Sequence, residues 1–176
     1  MPLNWIDTSQ MSFNVLLLLE RVQINWLPGS PPEKDIALAL RANPVVAWFL
    51  RHKCPEVAPW LDRLQTLDVG DVNDPQAVYA AEQNVLQKLN DWLVYVVDPS
   101  VYDAQPFLAW DSHELSDLVD FSGQIVLDIG AGTGRLAFVA APTAQAVFCV
   151  EPVGNLRRYI LQKAENKGLK NIFAVD

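Results

Sequence analysis

Residues 126–134 of this 176-residue chain read VLDIGAGTG. The sequence of residues 124–127 predicts a short buried strand, and residues 135–141 are typical of a helix. The three glycines therefore lie in a turn between a strand and a helix. Because glycine has no Cβ, it adopts positive φ angles at little cost and lets the backbone approach a ligand closely. We expect this turn to bind a ligand.

The spacing of the glycines and the acid before them narrow the class of ligand. A dinucleotide-binding turn has its third glycine three residues after the second. Here Gly134 follows Gly132 by two residues, and Arg135 stands where the dinucleotide glycine would be. A carboxylate at Asp128 would repel a pyrophosphate, but it suits a ligand that carries an ammonium group. The turn therefore favours a cationic or zwitterionic ligand.

The run VLDIGAGTG resembles the first motif of class I S-adenosylmethionine-dependent methyltransferases. Phe148-Cys-Val-Glu151 resembles the second strand of that family, which ends in an acidic residue. The resemblance covers roughly the last third of the chain and implies a Rossmann-like α/β fold, methyl transfer and the cofactor S-adenosyl-L-methionine. The residues that it assigns to cofactor binding are Asp128, Gly130, Ala131, Gly132, Thr133, Gly134 and Glu151.

Two carboxylates in this set have distinct expected roles. At the end of the second strand, the two oxygens of Glu151 can accept hydrogen bonds from both ribose hydroxyls of an adenosine, and the resemblance implies that role. The alternative for Glu151 is a solvated residue that starts a loop. The resemblance implies that Asp128 orders the turn and faces the amino group of the methionyl part. Alternatively, Asp128 accepts backbone N–H groups of the turn, and both roles can hold together.

Other candidates lie on either side of the motif. Asp176 ends the predicted third strand, where relatives often have an acid that binds the adenine amino group. Tyr102, Asp103, Trp110 and His113 lie upstream, where many relatives have a segment that covers the methionyl end of the cofactor. Core aromatics and a helix cap are the alternative for these four. The sequence does not indicate which residues are catalytic.

Residues 1–98 predict a separate helical domain. The pairs Asn43-Pro44, Cys54-Pro55 and Asp74-Pro75 predict helix starts, because proline is tolerated in a first turn, and asparagine is a plausible N-cap. Apolar periodicity predicts single helices over residues 12–26 and from residue 75 to 96. The same spacing places several tryptophans in the core or grooves of this bundle: Trp5, Trp26, Trp48 and Trp60.

Residues 99–176 predict the cofactor-binding domain. After a helix over 112–119 and the motif, strands are predicted over 146–150 and 171–175, with a helix over 153–167 between them. Alternating strands and helices are typical of a parallel sheet, which here would have three strands. A complete fold of the family has seven strands. We therefore expect the chain to be the front part of a longer protein, truncated after the third strand.

The composition limits the possible binding partners and the cellular compartment of the protein. A formal net charge of −8 disfavours a nucleic-acid substrate, so a small molecule or a protein is the favoured methyl acceptor. Cys54 and Cys149 are far apart and no secretory signature is present, which predicts free thiols in the cytoplasm. No apolar run near the start is long enough for a membrane span. With only His52 and His113 as histidines and no cysteine cluster, a metal site is not expected.

Two other functional hypotheses remain open from the sequence. One is an NAD(P)-binding oxidoreductase with an irregular fingerprint, which Arg135 opposes. The other is a non-catalytic domain that interacts with another protein through its helices and binds no cofactor. The helical domain could also shape the substrate site or the contact of a homodimer.

Overall fold

The computed structural model describes residues 5–109, 111 and 113–176. The chain divides into two compact units, one that ends at Val97 and one that begins at Asp98. All described strands belong to the second unit, where they form a three-stranded parallel sheet. This confirms a mixed α/β chain with a three-stranded parallel sheet.

The described helices and strands of the first unit are all helices, joined by turns and loops. Its α-helices are α1 (Arg21–Asn25), α2 (Glu33–Ala42), α3 (Pro44–Lys53), α4 (Ala58–Thr66), α5 (Pro75–Lys88) and α6 (Asn90–Val97). Short 3-10 helices occupy Phe13–Leu18 and Pro55–Val57. Aliphatic side chains from most of these segments form the core, among them Leu16, Ile24, Ile36, Leu50, Leu86 and Leu93.

The prediction of two long single helices in this unit is wrong, because each of them is interrupted in the structure. Leu19 and Glu20 are extended, and α1 starts afresh after Glu20, whose side chain forms a reciprocal capping box with Gln23. At Leu89 the backbone leaves helical geometry (φ −94°, ψ 8°) and separates α5 from α6. Apolar periodicity continues across both breaks, so it does not reveal them.

The predicted helix starts before prolines are observed for α3 and α5, but the caps differ. Asp74 caps α5, since its Oδ1 accepts hydrogen bonds from the N–H groups of Gln76 and Ala77 at 2.9 and 3.2 Å. Asn43 makes no such cap on α3. Its Nδ2 instead donates back to the Ala39 carbonyl at 2.9 Å, so the predicted Asn43 cap is wrong.

The second unit follows the predicted alternation of strands and helices. Its elements are α7 (Pro99–Asp103), a 3-10 helix (Pro106–Leu108), α8 (His113–Leu118), β1 (Ile125–Ile129), α9 (Arg135–Ala140), β2 (Ala146–Val150), α10 (Gly154–Asn166) and β3 (Ile172–Val175). The strand order is β1-β2-β3, and both neighbouring pairs are parallel. Ile129 lies opposite Val150, which lies opposite Val175. The carboxyl ends of the three strands therefore meet at one edge of the sheet.

The two faces of this sheet differ. Residues of α9 and α10 pack with Val147 and Cys149 in one buried cluster. On the opposite face Ile125, Leu127 and Ile129 are 67%, 60% and 76% exposed. We call this surface the bare face, and its members are Ile125, Leu127, Ile129, Ala146, Phe148, Val150, Phe173 and Val175. β1 is therefore a half-exposed strand, and the prediction of a buried one is wrong.

Tryptophans of the first unit divide between the core and its surface. Trp60 is buried, whereas Trp26 and Trp48 are 46% and 62% exposed, so of the predicted core and groove positions only the core is excluded for these two. Trp26 packs edge-on against Trp92 with ring centroids 5.7 Å apart, and Trp48 stacks on His52 at 4.3 Å. In the described ranges, no helix has the length and apolarity needed to cross a membrane.

Candidate functional site

The glycine turn lies at the carboxyl ends of β1 and β2. Gly130, Gly132 and Gly134 all have positive φ angles, of +71°, +57° and +79°. The N–H groups of Gly130 and Ala131 both donate to the Val150 carbonyl, at 2.9 and 3.2 Å. These bonds continue the parallel β1-β2 ladder into the turn and fix its position beside the end of β2.

Gly134 and Gly130 differ in their surroundings. A Cβ on Gly134 would lie 3.1 Å from Phe138 Cε2 and 3.2 Å from Ile160 Cγ1, so this glycine permits close packing of α9 and α10. Around a Cβ built on Gly130, no atom of the described chain lies within 4 Å. Packing therefore explains Gly134, while the space at Gly130 is available to a ligand.

Glu151 follows β2 directly and binds the turn. Its Oε2 accepts a hydrogen bond from Gly132 N–H at 2.9 Å, and its Oε1 accepts one from Val153 N–H at 2.9 Å. The residue is 5% exposed, which rules out the solvated loop residue considered from the sequence. Because a carboxylate oxygen has two lone pairs, both oxygens can still accept a hydrogen bond from a ligand.

Asp128 is the half-buried carboxylate at the end of β1. Its Oδ2 is buried and has no hydrogen-bond partner among the described residues. Burial raises the pKa of Asp128, and the backbone N–H of Ala137 offsets part of that rise. In this structure Glu151, and not Asp128, accepts the backbone N–H of the turn at Gly132. The unpaired oxygen of Asp128 would gain most from a cationic hydrogen-bond donor.

Cys149 lies opposite Asp128 in the register of the sheet. Burial, with a smaller contribution from the Asp128 charge, raises the pKa of Cys149 to about 11. The residue is fully buried and its thiol stays protonated at neutral pH. Cys149 is therefore a packing residue of the sheet and not a nucleophile.

A second group of polar side chains gathers around Asp103, at the end of α7. We call Asp103, Arg135, Tyr159 and Lys163 the Asp103 cluster. Lys163 Nζ lies 3.1 and 2.9 Å from the two carboxylate oxygens of Asp103, and Tyr159 donates its hydroxyl to Oδ2 at 3.1 Å. Arg135 Nε lies 3.5 Å from Asp103 Oδ1. The cluster joins α7, α9 and α10.

Protonation states in the Asp103 cluster follow from its geometry. Burial alone would raise the pKa of Asp103, but interactions with Thr133, Lys163 and Tyr159 outweigh burial and hold the pKa below its ordinary value. Burial and the Asp103 charge raise the pKa of Tyr159 to about 12. At neutral pH, Asp103 is therefore ionised, and Tyr159 remains a hydrogen-bond donor to it.

Lys163 and Arg157 reach the candidate site from α10. Lys163 Nζ also donates to the Thr133 carbonyl of the turn at 3.3 Å. Arg157 donates to the Glu151 carbonyl at 2.5 Å and lies 3.3 Å from a carboxylate oxygen of Asp176. The four-residue spacing of Tyr159 and Lys163 places both on one helix face. Nothing in the local sequence shows that this face meets Asp103, 60 positions away from Lys163.

The remaining upstream candidates are exposed or lie outside the described residues. His113 is 80% exposed and pairs with Asp111 at 2.9 Å. Trp110 lies outside the described residues. Within the described residues, no group of three or more His, Cys, Asp or Glu side chains is arranged to hold a metal ion.

Comparisons with known proteins identify no relative. No protein-family model, no curated protein and no solved structure matches the chain. The glycine turn and its two acids are therefore the features that bear on function.

Proposed function

We propose that this chain binds S-adenosyl-L-methionine at the glycine turn and supplies the cofactor-binding part of a methyltransferase with a Rossmann-like sheet. The observation that carries the proposal is the hydrogen bond from Gly132 N–H to Glu151, formed between the ends of two parallel neighbouring strands. An acid that ends the second strand and touches the turn is positioned beside any ligand that the turn binds.

The residues present fit this cofactor at three points. The buried, unpaired oxygen of Asp128 suits the ammonium group of the methionyl part. Glu151 keeps acceptor capacity for ribose hydroxyls while it holds Gly132. The space beside Gly130 admits a ligand close to the backbone. The other assigned residues, Ala131 and Thr133, contribute the backbone of the turn.

The bound cofactor would supply a methyl group on a sulfonium, which is already a good leaving group. The task of the protein is then to orient donor and acceptor, which accounts for much of the rate in such displacements. A net charge of −8 favours a small molecule or a protein as acceptor over a nucleic acid. Two buried free thiols are consistent with a cytoplasmic protein.

Pyrophosphate binding, as in an oxidoreductase, is less well supported. A dinucleotide needs the free N–H groups of the turn for its phosphates, whereas the carboxylate of Glu151 accepts the one at Gly132. The Arg135 guanidinium donates to the carbonyls of Leu108 and Asp103. It is therefore engaged with protein groups and not directed to a phosphate.

Isothermal titration of the chain with S-adenosylhomocysteine tests the proposal. We expect saturable binding that weakens at least tenfold in Glu151→Ala, while Glu165→Gln, an exposed change on α10, leaves the affinity unchanged. Absence of binding, or equal affinity in Glu151→Ala, would refute it. NADH fluorescence on mixing tests the oxidoreductase hypothesis in the same samples.

A thermal shift separates the proposal from a non-catalytic interaction domain. A ligand that binds only the folded state raises the unfolding midpoint with its concentration. We expect such a rise with S-adenosylhomocysteine and none with adenine alone at equal concentration. A domain that binds no cofactor would give no shift with either compound.

A further inference from the structure

The segment over residues 99–108 has little apolar burial to hold it in place. α7 is five residues long, and Pro99 is its only buried residue. The 3-10 helix Pro106–Leu108 contains no buried residue, and Phe107 is 59% exposed. Helices this short are unstable on their own. Contacts other than hydrophobic packing must therefore fix the segment.

The Asp103 cluster supplies these contacts. The Asp103 carboxylate, 18% exposed, receives Lys163 and Tyr159, and the Asp103 carbonyl accepts a hydrogen bond from Arg135 at 2.5 Å. Arg135 also donates to the Leu108 carbonyl. Two points of the segment, five residues apart, are thus bound to the first residue of α9.

The same contacts join the segment to the glycine turn. Arg135 follows Gly134 directly in the sequence. Lys163 Nζ binds both the Asp103 carboxylate and the Thr133 carbonyl of the turn. Tyr102 precedes Asp103, and its Cε1 lies 3.8 Å from the position of a Cβ on Gly132. Fixing Asp103 therefore also fixes the Tyr102 ring against the turn.

We infer that Asp103 is a positioning residue, which holds the Tyr102 ring beside Gly132 as a wall of the ligand site through its contacts with Arg135, Tyr159 and Lys163. The inference rests on the proposed function, because it assigns the wall to the site of that ligand. Asp103 acts through the segment and the turn and does not itself touch the ligand. Its loss should free residues 99–108 and widen the site.

Two measurements on Asp103→Asn and Lys163→Met test this inference. Hydrogen exchange should become at least tenfold faster over residues 99–108 in both variants, with β2 unchanged. The dissociation constant for S-adenosylhomocysteine should rise about tenfold. Because the two side chains contact each other, the double variant should bind S-adenosylhomocysteine only slightly more weakly than either single variant. Arg158→Met is the matched control on α10, since Arg158 is exposed and donates a hydrogen bond to Asn155 of the same helix at 2.9 Å.

Each outcome decides the inference. Unchanged exchange over residues 99–108 in Asp103→Asn would overturn it. Faster exchange with unaltered affinity would also overturn it, because the cluster would then be purely structural. If the unmodified chain binds no S-adenosylhomocysteine, the proposed function fails, and the ligand wall fails with it. A tenfold loss of affinity in Arg158→Met would show that the effect is not specific to Asp103.

Discussion

Asp128 and Glu151 are the two acids beside the glycine turn, and they differ in how their carboxylate oxygens are hydrogen-bonded. Glu151 accepts two backbone N–H groups, while Oδ2 of Asp128 is buried without a partner in the described structure. An unsatisfied buried polar group costs on the order of 1 to 3 kcal/mol. Such a group is retained where function requires it. At the residue scale, Asp128 is therefore the position where ligand binding and stability should oppose each other.

Asp128→Asn should stabilise the folded chain and weaken ligand binding. Since burial raises the pKa of Asp128 in the folded state, its charge disfavours folding above the ordinary carboxyl pKa. We expect the free energy of unfolding at pH 7 to rise by about 1 kcal/mol, with the gain disappearing below about pH 4. Urea unfolding across this pH range, beside titration with S-adenosylhomocysteine, checks both effects. A less stable Asp128→Asn variant would contradict the argument.

Gly134→Ala should lower the free energy of unfolding more than Gly123→Ala does. Both glycines have positive φ angles, of +79° and +69°, but a Cβ on Gly123 meets no atom of the described residues within 4 Å. Backbone strain should cost about 1 kcal/mol at each position. The contacts with Phe138 and Ile160 should add about 2 kcal/mol at Gly134. Urea unfolding of both variants measures the difference, and equal losses would exclude the packing explanation.

At the scale of elements, the sequence predicts the second unit better than the first. Strand alternation and the glycines place β2 correctly and α8, β1, α9, α10 and β3 within two residues, whereas α7 and the 3-10 helix Pro106–Leu108 are not predicted. The breaks at Leu89 and before α1 escape prediction, because apolar periodicity continues through them. The sequence does not predict the Asp103 cluster for another reason. The residues that contact Asp103 lie 32 to 60 positions after it, and only the tertiary fold brings them together.

The contribution of the Asp103 cluster to the stability of the fold should be lost at low pH. The pKa of Asp103 is depressed in the folded state, so its stabilisation is complete above the ordinary pKa and disappears as pH falls through the depressed value. Tyr159, whose pKa is raised to about 12, keeps its proton throughout this range. We expect Asp103→Asn to be about 1 kcal/mol less stable at pH 6.

Unfolding free energies measured from pH 6 to pH 2 check this expectation. The deficit of Asp103→Asn should shrink below about pH 4 as the unmodified chain loses its carboxylate. Arg158→Met again serves as the control on α10. A deficit that is independent of pH would show that the charge of Asp103 contributes nothing.

At the scale of the whole chain, the bare face is an exposed apolar surface of the second unit. Phe148 and Phe173 stack on it with centroids 5.2 Å apart, and β1 lies at the edge of the sheet that the described strands form. An exposed apolar strand edge promotes association between chains. The net charge of −8 opposes that association by repulsion.

Ile129→Lys should reduce self-association without loss of stability. Ile129 is 76% exposed, so we expect the free energy of unfolding to change by no more than about 0.5 kcal/mol. Sedimentation velocity over a range of protein and salt concentrations should show fewer large species than for the unmodified chain. Glu165→Gln raises the net charge by one, as Ile129→Lys does, at an exposed position away from the sheet. An equal effect of Glu165→Gln would attribute the result to net charge.

The burial of both thiols has a practical consequence for spectroscopy. Cys54 and Cys149 are 1% and 0% exposed, and burial raises the pKa of each. Maleimide reagents need an accessible thiolate, so neither native cysteine should be labelled in the folded chain. A cysteine introduced at Phe107 could then carry a fluorophore or spin label without removal of the native thiols, and it would report directly on the motion of residues 99–108.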